Sequence, residues 1–318
     1  MTRWVVTGGV GFIGYHVSEA LLARKDSVTV IDDFSDAPYP TAYKRRNQAD
    51  LLRAFPDARV VEASVTDRAR IAPLFEGAEG VLHLAGVAGV RPSLKDPARY
   101  ARVNVEGTAN VLEITRELGI RRLIFASSSS VYGNSTPLPA REDAPAIVPE
   151  SPYAASKRSA ELVAQSLCRH HPDISATALR FFTVYGARQR PEMAITLFTR
   201  AILAGKPITI FGDGSMRRDF THVDDIARGV VAAADARSPG FHVYNLGSGA
   251  PVTLTELVRA LAEATGTEPK VERAAVPPGD VEATFADITR AKSDLGWSPR
   301  VALRDGLKTV VAWVRDNA

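Results

Sequence analysis

The chain has 318 residues, 45% of them hydrophobic and 24% charged, with 39 basic against 36 acidic side chains for a formal net charge of +3. That mixture excludes a disordered chain and suits a protein with a sizeable core, and so weak and dispersed a charge excludes a general nucleic-acid binder. The single cysteine, Cys168, excludes a disulfide framework or a Cys-based metal site, and the six histidines show no ligand spacing, so no metal is expected. "MTRWVVTGG" enters a strand pattern at once, without the features of a signal peptide, and no apolar run reaches the roughly 18 residues of a membrane span. The expectation is a soluble, cytoplasmic protein with neither a nucleic-acid nor a membrane partner.

In chain order, apolar runs predict strands at 4–8, 27–32, 59–63, 80–86, 121–128 and 175–182. Helical patterns predict helices at 12–24, 42–54, about 98–118 and 154–170. Strands rich in Val, Ile and Leu without strict alternation belong to a sheet covered on both faces. The fold class is therefore α/β: a Rossmann-type doubly wound parallel sheet with a smaller mixed α/β substrate-binding lobe. The expected division is a dinucleotide-binding domain over 1–180, to which 219–248 returns, and a lobe made of 181–218 and 249–318. "GLKTVVAWVRDNA" closes the chain as an amphipathic helix, and no internal repeats are present.

"TGGVGFIG" sets Gly8, Gly11 and Gly14 directly after the first strand, with Phe12 and Ile13 opening the first helix. The tight turn needs residues without Cβ, so that a pyrophosphate can approach amide groups at a helix N-terminus. Eighteen residues after Gly14, Asp32 closes the second strand, where an acid accepts hydrogen bonds from ribose hydroxyls. Asp32 and Asp33 together would repel a 2′-phosphate, which favours NAD over NADP.

"PYAASK" puts Tyr153 and Lys157 four apart at the start of a helix, on one face. An ammonium beside a phenol, helped by a positive nicotinamide ring, lowers the phenol pKa and makes a base for an alcohol proton. "ASSSSVYGN" sets Ser128 at the end of a strand, 25 residues ahead of Tyr153. His83 reads as a satisfied strand residue. Tyr39 to Arg46, "YPTAYKRR", reads as a solvated helix face, with Lys44 and Arg45 near cofactor or substrate as the alternative.

The order of "TGGVGFIG", "IDDF", "HLAGVAGVRPS", "NVEGT", "SSSSVYG", "PYAASK", "RFFTVYG", "RRDFTHVDD", "NLGSG" and "GDVEATFADITRA" resembles the extended short-chain dehydrogenases/reductases, in the NAD-dependent sugar-nucleotide epimerase/dehydratase family. The resemblance implies that Tyr153 is the catalytic base, Lys157 a nicotinamide-ribose contact and Ser128 a partner of the reacting hydroxyl. It also implies tightly bound NAD, regenerated each turnover, against Val65, Leu84, Ala85, Gly86, Asn104, Ser127 and Phe181. Ser64 stands where relatives carry an acid near the adenine. Arg218 matches a diphosphate-binding arginine and Phe211 a residue beside uracil. Asp280, in "PPGD", is counted among the substrate contacts although the segment lacks the arginine of some relatives.

Dehydratases of the family carry an Asp–Glu pair where Ser129 and Ser130 stand, and uronate decarboxylases a Glu at the second position. Two hydroxyls orient a sugar but cannot run an elimination, which leaves oxidation and hydride return at C4. Thr183 and the Arg-Pro-Glu-Met run resemble the uronate 4-epimerases. Arg190 would pair with a C6 carboxylate through its planar fork; a surface or interface arginine is the plainer alternative. The expected activity is therefore 4-epimerisation of a UDP-sugar, UDP-glucuronate to UDP-galacturonate, by a homodimer that pairs the helices near 98–118 and 154–170. The alternatives, in falling order, are a UDP-glucose/UDP-galactose or UDP-GlcNAc 4-epimerase, a uronate decarboxylase or 4,6-dehydratase, and a non-catalytic NAD-binding protein.

Overall fold

A computed structural model describes residues 1–36, 39–236, 238–275 and 283–317. Six strands fall in the predicted places: β1 (Arg3–Thr7), β2 (Ser27–Asp32), β3 (Arg59–Glu62), β4 (Gly80–His83), β5 (Arg122–Ser128) and β6 (Ser175–Phe181). A further strand, Gly240–Leu246, completes a parallel sheet in the order β3-β2-β1-β4-β5-β6 and then 240–246. The direction of strand succession reverses between β1 and β4, and a cleft opens at the carboxyl ends there.

The central strands feed both faces. Trp4 and Val6 pack with Leu21, Val30, Ile226 and Val230 on one side, while Val5 packs with Ile31, Val81, Phe125 and Ala164 on the other. A residue that alternates sides along a doubly covered strand meets apolar partners either way, which is why the strands read as continuous runs.

Two predicted elements are built differently. β4 stops at His83, and 84–86 runs on as a wall of the cleft, tied to β1 by the Leu84 amide, which donates to the Thr7 carbonyl at 3.0 Å. The predicted helix at about 98–118 is three pieces: Pro97–Tyr100, a π-helical Ala101–Glu106, and Gly107–Glu117. In the widened stretch the Asn104 carbonyl accepts from the Thr108 hydroxyl at 2.6 Å, a local bond that hydrophobic periodicity does not record.

The lobe has its own core of Ile195, Phe198, Ile202, Ile208, Ile210, Leu257, Leu261, Leu307 and Val310. It comprises helices Ala194–Leu203, Leu254–Thr265 and Leu303–Asp316 with a parallel strand pair, Ile208–Phe211 and Val271–Ala274. The middle helix is fixed at both ends, by a Thr253–Glu256 capping box and by left-handed Gly266. Buried Asp219 ties lobe to sheet: its carboxylate accepts from the amides of Ser248 (2.5 Å), Gly249 (3.1 Å) and Ala286 (3.0 Å).

Candidate active site

A cavity of about 1100 Å³ runs from the first turn, along the carboxyl ends of the strands, to the lobe. At one end the glycines make room. Gly8 has φ +69, and a Cβ on it would lie 2.6 Å from the Ala85 amide nitrogen; a Cβ on Gly14 would lie 2.0 Å from the Gly8 carbonyl oxygen. The Phe12–Ala23 helix starts at Gly11 without a side-chain cap, so its first amides face the cavity beside Gly11, Phe12 and Ile13. Asp32, at the end of β2, is buried and accepts from the Phe34 amide at 3.0 Å. This cradle fits the diphosphate and ribose of a dinucleotide.

Here the structure corrects one expectation. Lys44 does not sit on a solvated face: it is 9% exposed, and its ammonium donates to Asp32 Oδ1 at 2.8 Å and Asp33 Oδ1 at 3.2 Å. Burial would raise the Asp33 pKa, but the Ser35 amide and the Lys44 charge outweigh it and hold the carboxyl below its usual range. The paired acids are thus partly neutralised, which weakens the argument from 2′-phosphate repulsion. Arg45 takes a more exposed place, its guanidinium 3.7 Å over the Phe34 ring and 2.6 Å from Glu62 Oε2.

At the middle of the cleft, β5 delivers the serine row. Ser128 ends the strand and caps a 3₁₀ turn, Ser129–Tyr132, accepting from the Ser130 amide at 3.2 Å. Ser128, Ser129 and Ser130 line the cavity together with Tyr153, and the Ser128 hydroxyl donates to Ser130 Oγ at 3.2 Å. Ser127 turns its hydroxyl the other way, to Glu161 Oε1 at 2.6 Å. Glu161 is fully buried and receives Arg180, itself 2% exposed, through two bonds of 2.9 and 2.8 Å. A paired charge of this kind beneath the row fixes its depth.

Tyr153 and Lys157 project from the Pro152–His170 helix, which Ser151 caps by accepting from the Ala154 amide. Burial raises the Tyr153 pKa, against which the Ser128 hydrogen bond and the Arg190 charge pull it down. Lys157 is held from behind by the strand that carries the serine row. Its ammonium donates to the Ala126 carbonyl at 2.9 Å, and burial lowers its own pKa to about 8, opposed by the Glu161 charge. Asn104 stands behind the cleft wall, bonded to both backbone groups of Val87 and to the Ser156 hydroxyl. His83 is a satisfied strand residue, held between the hydroxyls of Thr7 and Thr108.

At the lobe end, Thr183, Arg190, Phe211 and Arg218 all line the same cavity, as do Val65, Leu84, Ala85, Gly86 and Phe181. Arg190 is 18% exposed; its guanidinium contacts Glu192 Oε1 at 3.0 Å and Met193 Sδ at 3.2 Å, and its charge is felt by Tyr153. Ser64 is not brought in: its hydroxyl bonds Thr66 within its own turn, and its neighbours Ala63 and Val65 line the cleft instead. Asp280 lies outside the described residues. Sequence reasoning missed Arg91, whose guanidinium lies 5.6 Å over the Phe211 ring, although it stands in the quoted "HLAGVAGVRPS". It also missed Gln189, buried in the loop that carries Arg190.

A profile described as "NAD dependent epimerase/dehydratase family" matches residues 4–247. The chain belongs to that family. A UDP-glucuronate 4-epimerase of Thermodesulfobacterium geofontis is 38% identical over 321 residues, covering 100% of this chain and 97% of the relative. The crystal structure of a Bacillus cereus UDP-glucuronic acid 4-epimerase, in complex with UDP-glucuronic acid and NAD, superposes with a TM-score of 0.92 at 33% identity over 100% of both chains. A Thermotoga maritima UDP-glucose 4-epimerase with UDP-glucose superposes with a TM-score of 0.90 at 33% identity over 99% of both chains.

Proposed function

We propose that the protein is an NAD-dependent UDP-glucuronate 4-epimerase, an isomerase that interconverts UDP-glucuronate and UDP-galacturonate. The observation that carries this reading is the place of Arg190: a guanidinium in the cavity wall, close enough to Tyr153 for its charge to lower the phenol pKa. A cation there meets the carboxylate of a uronate whose C4 hydroxyl faces Tyr153 and Ser128. Residues 1–180 with 219–248 bind the cofactor, and 181–218 with 249–318 bind the nucleotide sugar.

NAD, when bound, would supply the hydride acceptor and donor for C4. The chain's own residues do the rest. Ser128 and Tyr153 hold the C4 hydroxyl, and Tyr153 accepts its proton. Lys157, held by the Ala126 carbonyl and neighboured by Glu161, places a charge that stabilises the nicotinamide ribose. Asp32, the glycine turn and the first-helix amides hold the dinucleotide. Arg91, whose guanidinium lies 5.6 Å over the Phe211 ring, and Arg218 suit a uridine and its diphosphate, about which the 4-keto sugar would turn to present its other face. Ser129 and Ser130 orient the ring but supply no acid for elimination. A 4-keto uronate is a β-keto acid, and Arg190 with Thr183 holds its carboxylate out of line with the ketone, which resists loss of CO₂. Leu162 and Val163, exposed at 48% and 37% on the Pro152–His170 helix, support a homodimer through that helix. A buried, free Cys168 suits a reducing cytoplasm.

The test is product analysis by NMR on UDP-glucuronate without added reductant. The C4 epimer is expected; a pentose with CO₂ assigns a decarboxylase instead. Faster turnover of UDP-glucose than of UDP-glucuronate assigns the neutral-sugar reading, which the Glu192 carboxylate on Arg190 favours because it offers that guanidinium a partner without any uronate.

A further inference from the structure

The loop that carries Arg190 is fastened to the cofactor end of the cleft by one helix. On the Thr41–Ala54 helix, Lys44, Asn47 and Asp50 are spaced by three and share a face. Lys44 holds the ribose acid Asp32. Asn47, 1% exposed, donates to the carbonyl of Val10 inside the glycine turn at 2.9 Å. Its other atom, Oδ1, accepts from Arg188 Nη1 at 2.7 Å, and Asp50 pairs with the same guanidinium at 2.8 Å.

Arg188 is gripped on every side. Its guanidinium lies 3.8 Å over Tyr15, on the first helix, and 4.7 Å over Trp313, on the last. Its carbonyl accepts from the Tyr39 hydroxyl at 2.8 Å. Its backbone has φ +66, a conformation a side-chain-bearing residue keeps only where its surroundings over-determine it. Gln189 continues the fastening, donating to Val184 O at 2.7 Å and accepting from Thr196 at 2.9 Å. Arg190 follows, facing the cavity. The chain from Asp32 and Val10 through Lys44, Asn47 and Asp50 to Arg188 is therefore contiguous, and it stops one residue short of Gln189 and two short of Arg190.

We propose that Arg188 is the positioning residue through which the Thr41–Ala54 helix locks the Arg190 loop to the cofactor-binding turn, so that retention of the dinucleotide and grip on the sugar carboxylate are coupled. The carboxylate half of this inference rests on the uronate reading above; the cofactor half does not. Coupling of this kind is reciprocal: a nucleotide uronate must raise affinity for the dinucleotide by the factor by which the dinucleotide raises affinity for the uronate.

The experiment uses the purified NAD-loaded protein and four forms: wild type, Arg188→Met, Arg190→Met and the double variant. Calorimetry reads affinity for UDP-glucuronate and for UDP, and NAD released during gel filtration reads retention with and without UDP-glucuronate. Arg188→Met is expected to weaken UDP-glucuronate about tenfold and UDP by less than about twofold. It should also speed NAD loss by about tenfold and abolish the protection that UDP-glucuronate gives. In the Arg190→Met background, the further loss of UDP-glucuronate affinity should be under about twofold, because the residue acts through Arg190. Additive losses in the double variant, or unchanged NAD loss and uronate affinity in Arg188→Met, overturn the proposal. Should Arg188→Met fail to fold, Asp50→Asn keeps the shape and removes one charge, and the same pattern is expected at about threefold; its absence overturns the coupling. Should wild type bind UDP-glucuronate no tighter than UDP-glucose, the uronate reading falls, and the NAD release of Arg188→Met alone decides the coupling.

Discussion

The two ends of the cleft are made of different materials. The cofactor end is mostly backbone: a turn that tolerates no Cβ at Gly8 or Gly14, open amides at a helix start, and one acid at a strand end. The lobe end is mostly side chains, Thr183, Arg190, Phe211, Arg218 and Arg91, delivered by short strands, a loop and the short Val90–Lys95 helix, which are far apart in the chain. A backbone cradle is set by sterics and admits few alternatives, whereas a side-chain cradle can be rewritten one residue at a time.

The comparison can be broken at several points. The largest effect is expected at the middle, where the ends meet: Tyr153→Phe should cut kcat by about 10²–10⁴ while bound NAD stays unchanged, measured by product formation and by cofactor content. Loss of NAD in that variant would mean that the phenol belongs to the cofactor end. Glu161→Gln should destabilise the fold by about 3–5 kcal/mol in urea unfolding at neutral pH, because Arg180 is left charged in the core. Burial alone would raise the Glu161 pKa, but Arg180, Ser127 and Arg158 outweigh it and hold it low. Its contribution is therefore present above the unfolded carboxyl value and lost as pH falls through the folded one, so the variant and wild type should converge in acid. Arg190→Ala should weaken turnover of UDP-glucuronate by about 10–100-fold and that of UDP-glucose by a few-fold at most, read as kcat/KM on both substrates. Equal losses would return Arg190 to a general structural role.

The smallest effect concerns pH. Burial raises the Tyr153 pKa, and the Ser128 bond is the foremost influence lowering it. With the phenolate as the working base, Ser128→Ala should move the rising limb of the pH–rate profile toward higher pH by about one unit or less. A shift toward lower pH would mean that Ser128 stabilises the protonated phenol.

Legibility followed the same division. The glycine turn, Asp32, the serine row and Tyr153–Lys157 were readable because each is a local pattern, with its partners within one strand and one helix. Lys44 was misjudged because polar residues on a helix look alike whether they meet water or a buried acid; only the fold, which lays that helix over the end of β2, separates them. Arg91 stands within a quoted motif and Gln189 directly before the Arg-Pro-Glu-Met run, yet their neighbours Phe211 and Thr196 lie elsewhere in the sequence. Four-residue spacing sets Lys157 near the phenol but does not record that its ammonium donates to the Ala126 carbonyl, on a strand distant in the chain. Ser64, placed by its position in the motif order, satisfied its hydroxyl within its own turn.

The π-helical stretch Ala101–Glu106 behaves like a phase shift in a screw thread. In a regular α-helix each residue turns the chain by about 100°, and a wider turn absorbs one residue without advancing the thread. Removing a single residue between 101 and 106 would therefore let the thread close to an ordinary helix with little loss of length. It would also rotate Asn104 off Val87 and Ser156 and leave the wall behind Gly86 without its brace. A deletion too small to disturb the fold would then reach the cleft by rotation alone.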